Sequence, residues 1–104
     1  MALTKDFKET VQARALRDPA FRRGLLTEAL DCFLSGELGE GKLILRDYIN
    51  ATVGFEELGR LTEKTPKSLM RMLSADGNPC ADNLFLVIQE LQVREGVNLH
   101  VQAQ

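Results

Sequence analysis

Three side chains near the middle of the chain have the chemistry to bind a polyanion. Lys67, Ser68 and Arg71 lie close together in a short segment that follows Pro66. The apolar residues between and after them recur at helical spacing and would face a core, so these three side chains would face outward. Ammonium, guanidinium and hydroxyl groups donate hydrogen bonds to phosphates and base edges. The pattern therefore predicts a helix that contacts double-stranded DNA.

Two short helices would have to position these side chains. The sequence predicts one helix over residues 55–62 and a second over 65–73, separated by a tight turn. Thr65 can accept a hydrogen bond from the first amides of the second helix, and Pro66 suits its first position. Gly59 is small, as is needed where the second helix crosses the first. Such a pair is the minimal device that places a helix end in the DNA major groove.

The turn between these helices contains two residues that are unusual for such a device. Glu63 stands where glycine is usual, and a left-handed backbone there would cost about 1 kcal/mol. Its carboxylate, with those of Glu56 and Glu57, would repel phosphate. Lys64 occupies a position that is usually apolar, although its aliphatic stem can cover apolar surface. The same segment is also compatible with a tight corner of a helical core that makes no DNA contacts.

Four more helices are predicted from apolar periodicity and from cap, proline and glycine signals. They cover residues 4–17, 18–36, 40–53 and 82–93, and Asp18 followed by Pro19 is the expected start of the second. In the first helix Thr4 is the expected cap, and Phe7, Val11 and Leu16 form a thin apolar stripe. The second helix has a broad face that we expect to be buried, made of Phe21, Leu25, Leu26, Ala29, Leu30, Phe33 and Leu34.

The end of the chain alternates strictly between apolar and polar residues over 97–102, which is the signal of a strand. The chain contains no second predicted strand, and a lone strand leaves its backbone groups unpaired. Pairing with the same strand of a second copy about a two-fold axis would satisfy them. We therefore expect a homodimer with Val97, Leu99 and Val101 at its interface.

Composition and charge limit the classes of function. The chain has 104 residues, of which 44% are hydrophobic and 27% charged, as in a globular domain. We expect a cytoplasmic protein with no membrane partner, because the sequence has neither a long apolar run nor the apolar centre of a signal peptide. The net charge is −2, yet six basic residues oppose three acidic ones within residues 1–23. A slightly acidic protein can still bind DNA if its bases share one face.

Neither catalysis nor metal binding has support in the residue pattern. Cys32 and Cys80 lie far apart and are expected to be free thiols, and His100 is the single histidine, so no metal site can be assembled from these ligands. The adjacent carboxylates of Glu56 and Glu57 are typical of solvated charge at a helix start. We therefore expect no enzyme activity, no cofactor and no metal.

One part of the sequence resembles a known family. The run Leu-Met-Arg-Met-Leu-Ser at 69–74 is followed by Asp-Gly-Asn-Pro at 76–79, and then by Asn83, Leu84 and Val87. This run is similar to one in the addiction-module antidote proteins, the HigA-like antitoxins with a lambda-repressor-type helix-turn-helix. Residues 30–34 and 45–49 also resemble the leading helices of these proteins. The resemblance extends over residues 22–101.

The resemblance implies a fold. It implies an all-α, lambda-repressor-like helix-turn-helix bundle. Together with the elements predicted above, this gives a single domain over residues 1–104 with an N-terminal helical extension, which is not part of the shared pattern, and a short C-terminal strand. The leading helices would occupy residues 1–53, the helix-turn-helix and its loop 54–79, the last helix 80–95 and the strand 97–102.

The resemblance also implies a function: a homodimeric transcriptional regulator that binds a DNA operator with two half-sites. It would be the antitoxin of a type II toxin-antitoxin pair, repressing its own operon and binding a small RelE/ParE-like toxin. Thr65, Lys67, Ser68 and Arg71 would be the groove-facing residues, with Asn78 touching phosphate. Two alternatives remain open: a solitary regulator without a toxin, and a helical protein-interaction module that does not bind DNA.

Overall fold

Helices account for most of the described chain. The computed structural model describes the backbone of residues 5–104 and the side chains of residues 10–104. The helices are α1 (Lys5–Arg17), α2 (Pro19–Leu34), α3 (Leu38–Ala51), α4 (Phe55–Thr62), α5 (Pro66–Met72) and α6 (Ala81–Glu95). Because residues 5–104 contain no strand, the predicted all-α class is confirmed. None of the described helices is both long enough and apolar enough to span a bilayer.

Two helices begin at the residues that the sequence indicated. Asp18 caps α2, where its side chain accepts a hydrogen bond from the amide of Phe21 over 3.1 Å. Thr65 caps α5 in the same way, its Oγ1 accepting from the amide of Ser68 over 3.0 Å. A proline follows each cap and occupies the first helical position. Both helices therefore start at residues whose local chemistry favours a start.

Other boundaries differ from the prediction. The helix α3 begins at Leu38, two residues earlier than expected, and α6 begins after Cys80, which makes no side-chain cap. Asp82 lies in the first turn of α6, where its negative carboxylate interacts favourably with the positive end of the helix dipole. The predicted cap Thr4 lies outside the described residues, as does the side chain of Phe7.

The core joins five of the helices. The helix α2 packs along α3, α1 contacts both of them, and α4 packs against α5 and α6. The buried apolar cluster draws residues from α2 to α6 together with Leu73: Leu26, Ala29, Leu45, Tyr48, Ile49, Phe55, Leu58, Leu69, Met72, Leu73, Val87, Ile88 and Leu91. This cluster fixes α5 to the body of the domain through one face.

Two residues of the predicted apolar faces are exposed. Leu16, on the thin apolar stripe of the first helix, is 66% exposed because its neighbour Ala15 takes the inward position, and adjacent residues of a helix differ by a rotation of about 100°. Leu34 is also 66% exposed, because it is the last residue of α2 and the chain turns away at Ser35 and Gly36. The prediction of burial was wrong for Leu34.

Residues 97–104 do not form the predicted strand. Gly96 adopts φ 73° and ends α6, and the chain then turns back towards that helix, where the amide of Leu99 donates to Oε1 of Gln92 over 2.8 Å. Val97 and Leu99 are half-buried against the core of the same chain, whereas Val101 is 75% exposed. A strand requires a partner strand, and in this chain the segment packs against α6 instead.

Candidate nucleic-acid interface

The corner between α4 and α5 is very tight. The amide of Lys64 donates to the carbonyl of Gly59 over 3.0 Å. A Cβ atom added to Gly59 would lie 2.7 Å from the carbonyl oxygen of Lys64 and 3.3 Å from Cδ of Pro66. Thr62 is buried and donates its hydroxyl to the carbonyl of Leu58 over 2.8 Å. Only glycine at position 59 permits the two helices to approach this closely.

Glu63 has the backbone conformation that the sequence made improbable. It is the C-cap of α4 and lies in the left-handed region at φ 56° and ψ 36°, the one non-glycine residue with a positive φ among those described. Its side chain is exposed and makes no hydrogen bond or ion pair with the described residues. The turn therefore contains backbone strain that no side-chain interaction of Glu63 offsets.

The helix α5 has one buried and one exposed face. Leu69 and Met72 are buried in the core, whereas Lys67, Ser68 and Arg71 are exposed. Within residues 10–104, neither Lys67 nor Arg71 forms an ion pair with a carboxylate. The exposed face of α5 thus carries two cations whose charge no described acid neutralises.

The predicted contact residue Thr65 already has a structural role. Its side chain is exposed, but Oγ1 accepts a hydrogen bond from the amide of Ser68 and thereby caps α5. A hydroxyl group has one donor and two acceptor positions, so the proton of Thr65 is left to donate outward. The side-chain hydroxyl of Ser68 makes no hydrogen bond within residues 10–104.

The residues that follow α5 form an ordered loop, here called the GNP loop (residues 74–79). Asn78 is exposed on it. The amide of Gly77 donates to the carbonyl of Ser74 over 3.0 Å, and a Cβ at Gly77 would lie 2.6 Å from the carbonyl oxygen of Met72. The glycine therefore allows the loop to return against the end of α5.

Lys42 holds this loop from the other side. It is a residue of α3 and only 8% exposed, and its Nζ donates to the carbonyl of Gly77 over 2.7 Å and to that of Ala75 over 3.4 Å. This lysine was not among the residues predicted from the sequence. A signal was present, because Lys42 lies in helical phase with the core residues Leu45 and Ile49.

Acidic residues flank the cations of α5 but do not cover them. On α4, Arg60 donates to Glu57, and this hydrogen bond lowers the pKa of Glu57 below its usual value. Glu57 is therefore paired with a neighbouring cation on its own helix, and Glu56 beside it is exposed. Asp76, at the tip of the GNP loop, is exposed as well.

A second polar cluster links α1, α2, α3 and α6 without any residue of α5. Nε of Arg22 donates to both carboxylate oxygens of Glu95, over 2.9 and 3.1 Å, and Nη1 donates to the carbonyl of Ala15 over 2.8 Å. The hydroxyl of Tyr48 also donates to Glu95. These groups satisfy one another, which identifies the cluster as a structural tie between helices.

Burial and hydrogen bonding act in opposite directions on the pKa of Glu95 and in the same direction on the pKa of Tyr48. Burial by itself would raise the pKa of Glu95, but the hydrogen bonds from Arg22 and Tyr48 outweigh it, and the net pKa is lowered. Burial, together with the bond to Glu95, raises the pKa of Tyr48 far above its usual range. Tyr48 therefore remains a protonated donor, and Glu95 an ionised acceptor.

Both cysteines are free thiols, as predicted. Cys32 is buried in α2, and desolvation raises the pKa of its thiol. Cys80 is exposed between the GNP loop and α6.

Comparison with known proteins finds no matching family model, no matching curated protein and no matching solved structure. The function is therefore inferred from the residues of the chain itself and from the resemblance noted in its sequence.

Proposed function

We propose that this protein is a sequence-specific DNA-binding regulator in which α4 and α5 form a helix-turn-helix and α5 enters the major groove. The observation that carries the proposal is the exposed face of α5, where Lys67, Ser68 and Arg71 stand together without an acidic partner among residues 10–104. Arginine and lysine on a groove-facing helix donate to guanine edges and phosphates. The capped start of α5 adds partial positive charge towards the backbone.

The electrostatic balance supports recognition through one surface only. The net charge of −2 gives the whole molecule no general attraction for DNA. Binding must therefore come from the cations of α5. The carboxylates of Glu63 and Asp76 would repel any phosphate that does not lie against these cations. The proposal thus implies a protein that discriminates between DNA sites rather than one that coats DNA.

The direct test is binding to a duplex that covers the region upstream of the protein's own coding sequence. We expect a double variant, Lys67→Ala with Arg71→Ala, to bind at least about tenfold more weakly, because base-edge and phosphate contacts are removed together. The dependence of log affinity on log salt should also become less steep, by about one unit for each phosphate that is no longer neutralised. Fluorescence anisotropy titrations at several salt concentrations measure both quantities.

The matched control removes the same charge elsewhere. Arg17 and Arg94 are exposed and belong to α1 and α6, so the double variant Arg17→Ala with Arg94→Ala changes the net charge equally and leaves α5 intact. It should bind nearly as well as the wild type. An equal weakening in the two double variants would remove α5 from the interface and leave only a general charge effect.

The antitoxin role is the part of the proposal that rests on the family resemblance. In this role the protein represses its own operon and binds a RelE/ParE-like toxin encoded next to it. Co-expression of this chain with the small basic protein of a neighbouring reading frame, followed by purification on a tag carried by one of them, tests the role. Stoichiometric recovery of both supports an antitoxin, and a neighbourhood without such a gene supports a solitary regulator.

The proposed regulator is a homodimer that pairs residues 97–102 of two copies. Burial alternates from Val97 to His100 with the two-residue period of extended chain, and Val101 is exposed. Truncation after Leu99 keeps the two side chains that pack on the core and removes the exposed part. We expect the truncated chain to sediment as a monomer at concentrations where the full chain is a dimer. A truncated chain that is as dimeric as the full one would exclude a contribution of residues 100–102 to the interface.

A second candidate function, a protein-interaction module without DNA binding, is favoured by one observation. Leu34 and Leu38 are 66% and 57% exposed at the turn between α2 and α3, where a partner could cover them. Binding through these residues would be insensitive to salt, because burial of apolar surface drives it. The absence of any salt-dependent DNA binding by the wild type would favour this module over the regulator.

A further inference from the structure

Lys42 is a buried cation that stabilises a loop rather than a carboxylate. It is 8% exposed and has no acidic partner among residues 10–104. Its ammonium group instead donates to two backbone carbonyls of the GNP loop, those of Ala75 and Gly77. Burial of an ammonium group is costly unless its protons are satisfied, so the lysine and the loop depend on each other.

The GNP loop is held from two sides. Lys42 binds it from α3, and Gly77 packs it against the last carbonyls of α5, where any larger residue would clash with Arg71 and Met72. The hydroxyl of Ser74 adds a bond to the carbonyl of Arg71 over 2.7 Å. These interactions fix the loop against the carboxyl end of α5, at Arg71 and Met72.

Several donors on the loop remain without a partner. Within residues 10–104, the amides of Ala75, Asp76 and Asn78 donate no hydrogen bond, and the exposed side chain of Asn78 makes none. The two carbonyls that accept from Lys42 lie next to these donors. The three free amides and the side-chain amide of Asn78 are donors for an anion such as a backbone phosphate, although the exposed carboxylate of Asp76 lies among them.

We propose that Lys42 is a positioning residue for DNA binding, which acts through the GNP loop and does not itself touch DNA. Its hydrogen bonds to the carbonyls of Ala75 and Gly77 hold the loop in place. Asn78 and the free amides of the loop are thereby positioned to contact a DNA phosphate next to the bases that α5 reads. The inference rests on the proposed DNA-binding function and adds to it a second contact region, whose geometry is set from α3.

The experiment is a double-mutant cycle between Lys42→Met and Asn78→Ala in the full chain, using the duplex upstream of its own coding sequence. We expect each single variant to bind about tenfold more weakly with a nearly unchanged salt slope, because the contacts that are lost come from uncharged donors. If Lys42 acts through Asn78, the double variant should bind no more weakly than either single one. Fully additive effects, or a Lys42→Met variant with the affinity of the wild type, would overturn the proposal.

Two controls separate positioning from general destabilisation. Leu30→Ala removes a half-buried residue of α2 that packs on the core, and it should lower the melting temperature without changing the affinity of the folded protein. Amide hydrogen exchange at residues 75–78 should become faster in Lys42→Met but not in Leu30→Ala. An equal decrease of affinity in both variants would show that Lys42 only stabilises the fold.

Lys42→Gln, which has a donor but a shorter reach, replaces the methionine variant if that one does not fold.

The outcome for the wild type distinguishes failure of the inference from failure of the proposed function. A wild type that shows no specific binding to the duplex ends the DNA-binding proposal and this inference with it. Specific binding by the wild type together with an unaltered Lys42→Met variant ends this inference alone.

Discussion

Glu63 has a left-handed backbone conformation, which is unfavourable for a residue that carries a side chain. At φ 56° the Cβ atom crowds the following carbonyl, which costs about 1–2 kcal/mol for a residue other than glycine. The side chain is exposed and forms no hydrogen bond or ion pair with residues 10–104 that would compensate. A conformation that local energetics disfavours is imposed here by the packing of the helices on either side.

Replacing Glu63 with glycine should therefore stabilise the protein. We expect Glu63→Gly to raise the free energy of unfolding by about 1 kcal/mol, because glycine adopts this conformation without strain. Glu63→Ala removes the same charge but keeps the strain, so it should leave the stability nearly unchanged. Urea denaturation of the three proteins measures the difference. Equal stability of the glycine and alanine variants would show that the turn is not strained.

The same pair of variants separates charge from strain in DNA binding. Both remove a carboxylate beside the cations of α5, so both should bind DNA more tightly than the wild type by a similar factor. Tighter binding by the glycine variant only would assign the effect to the backbone.

At the scale of single residues, the sequence predicted what depends on neighbours in the chain. The caps Asp18 and Thr65 were found because a cap bonds to an amide three residues away. Lys42 was missed because its partners, Ala75 and Gly77, are more than thirty residues distant, and no local pattern indicates which carbonyl a buried lysine will find. The sequence signal that was present, the helical phase of Lys42 with Leu45 and Ile49, indicates its place on the inner face of α3 but not its partners.

At the scale of elements, the pair α4 and α5 is defined by the glycine at their crossing. Gly59 allows the carbonyl of Lys64 and the ring of Pro66 to lie against the α4 backbone. Gly24 in α2 is the opposite situation, since a Cβ atom there would meet nothing within 4 Å. Substitution by alanine is therefore expected to have opposite effects on stability at the two positions.

Gly59→Ala should destabilise the protein by about 1–3 kcal/mol, because the added methyl group forces the turn and α5 apart. Gly24→Ala should stabilise it by about 0.5–1 kcal/mol, because it lowers the backbone entropy of the unfolded chain at a position with free space. Thermal denaturation of the two variants measures both changes. A neutral Gly59→Ala variant would mean that the two helices are not in close contact at this crossing.

The order and class of the elements were well predicted, and their ends less so. The six predicted helices are present, because each combines apolar periodicity with a start or stop signal in the sequence. The predicted strand at 97–102 is absent because its alternation was interpreted without regard to α6, whose Gln92 side chain and apolar surface hold the segment. Alternating burial is a property of extended chain and does not require a neighbouring strand.

At the scale of the whole molecule, the cluster of Arg22, Tyr48 and Glu95 ties the leading helices to the last one. Arg22 bridges the final turn of α1 and the end of α6, and its partner Glu95 is 73 residues away in sequence. The carboxylate has only 5% of its side chain exposed. Such a cluster cannot be inferred from the sequence, where each of its members is an ordinary polar residue in a separate helix.

This cluster predicts acid sensitivity. The pKa of Glu95 is lower in the folded protein than in the unfolded chain, since the hydrogen bonds to its carboxylate outweigh burial. Its contribution to stability is therefore fully present above the unfolded pKa, about 4.3, and is lost as the pH falls through the folded pKa. Glu95→Gln should lower the free energy of unfolding at neutral pH by about 2 kcal/mol and flatten its decline in acid.

Glu90→Gln is the matched control, since it changes a carboxyl on the same helix that lies outside this cluster. It should reproduce the acid decline of the wild type. Denaturant titrations between pH 3 and pH 7 compare the three proteins. An acid decline that is as steep in Glu95→Gln as in the wild type would exclude the cluster as its origin.

The two thiols have very different accessibility, and this gives the natural sequence a built-in attachment point for reporter groups. A maleimide dye or a nitroxide should couple to Cys80 and spare Cys32, which the core shields and whose thiolate is disfavoured. Since Cys80 directly follows Pro79, a label there sits at the junction between the loop and α6. Distances between two labels in the proposed dimer, or from a label to the end of an oligonucleotide in the proposed DNA complex, can then be measured without altering a single residue.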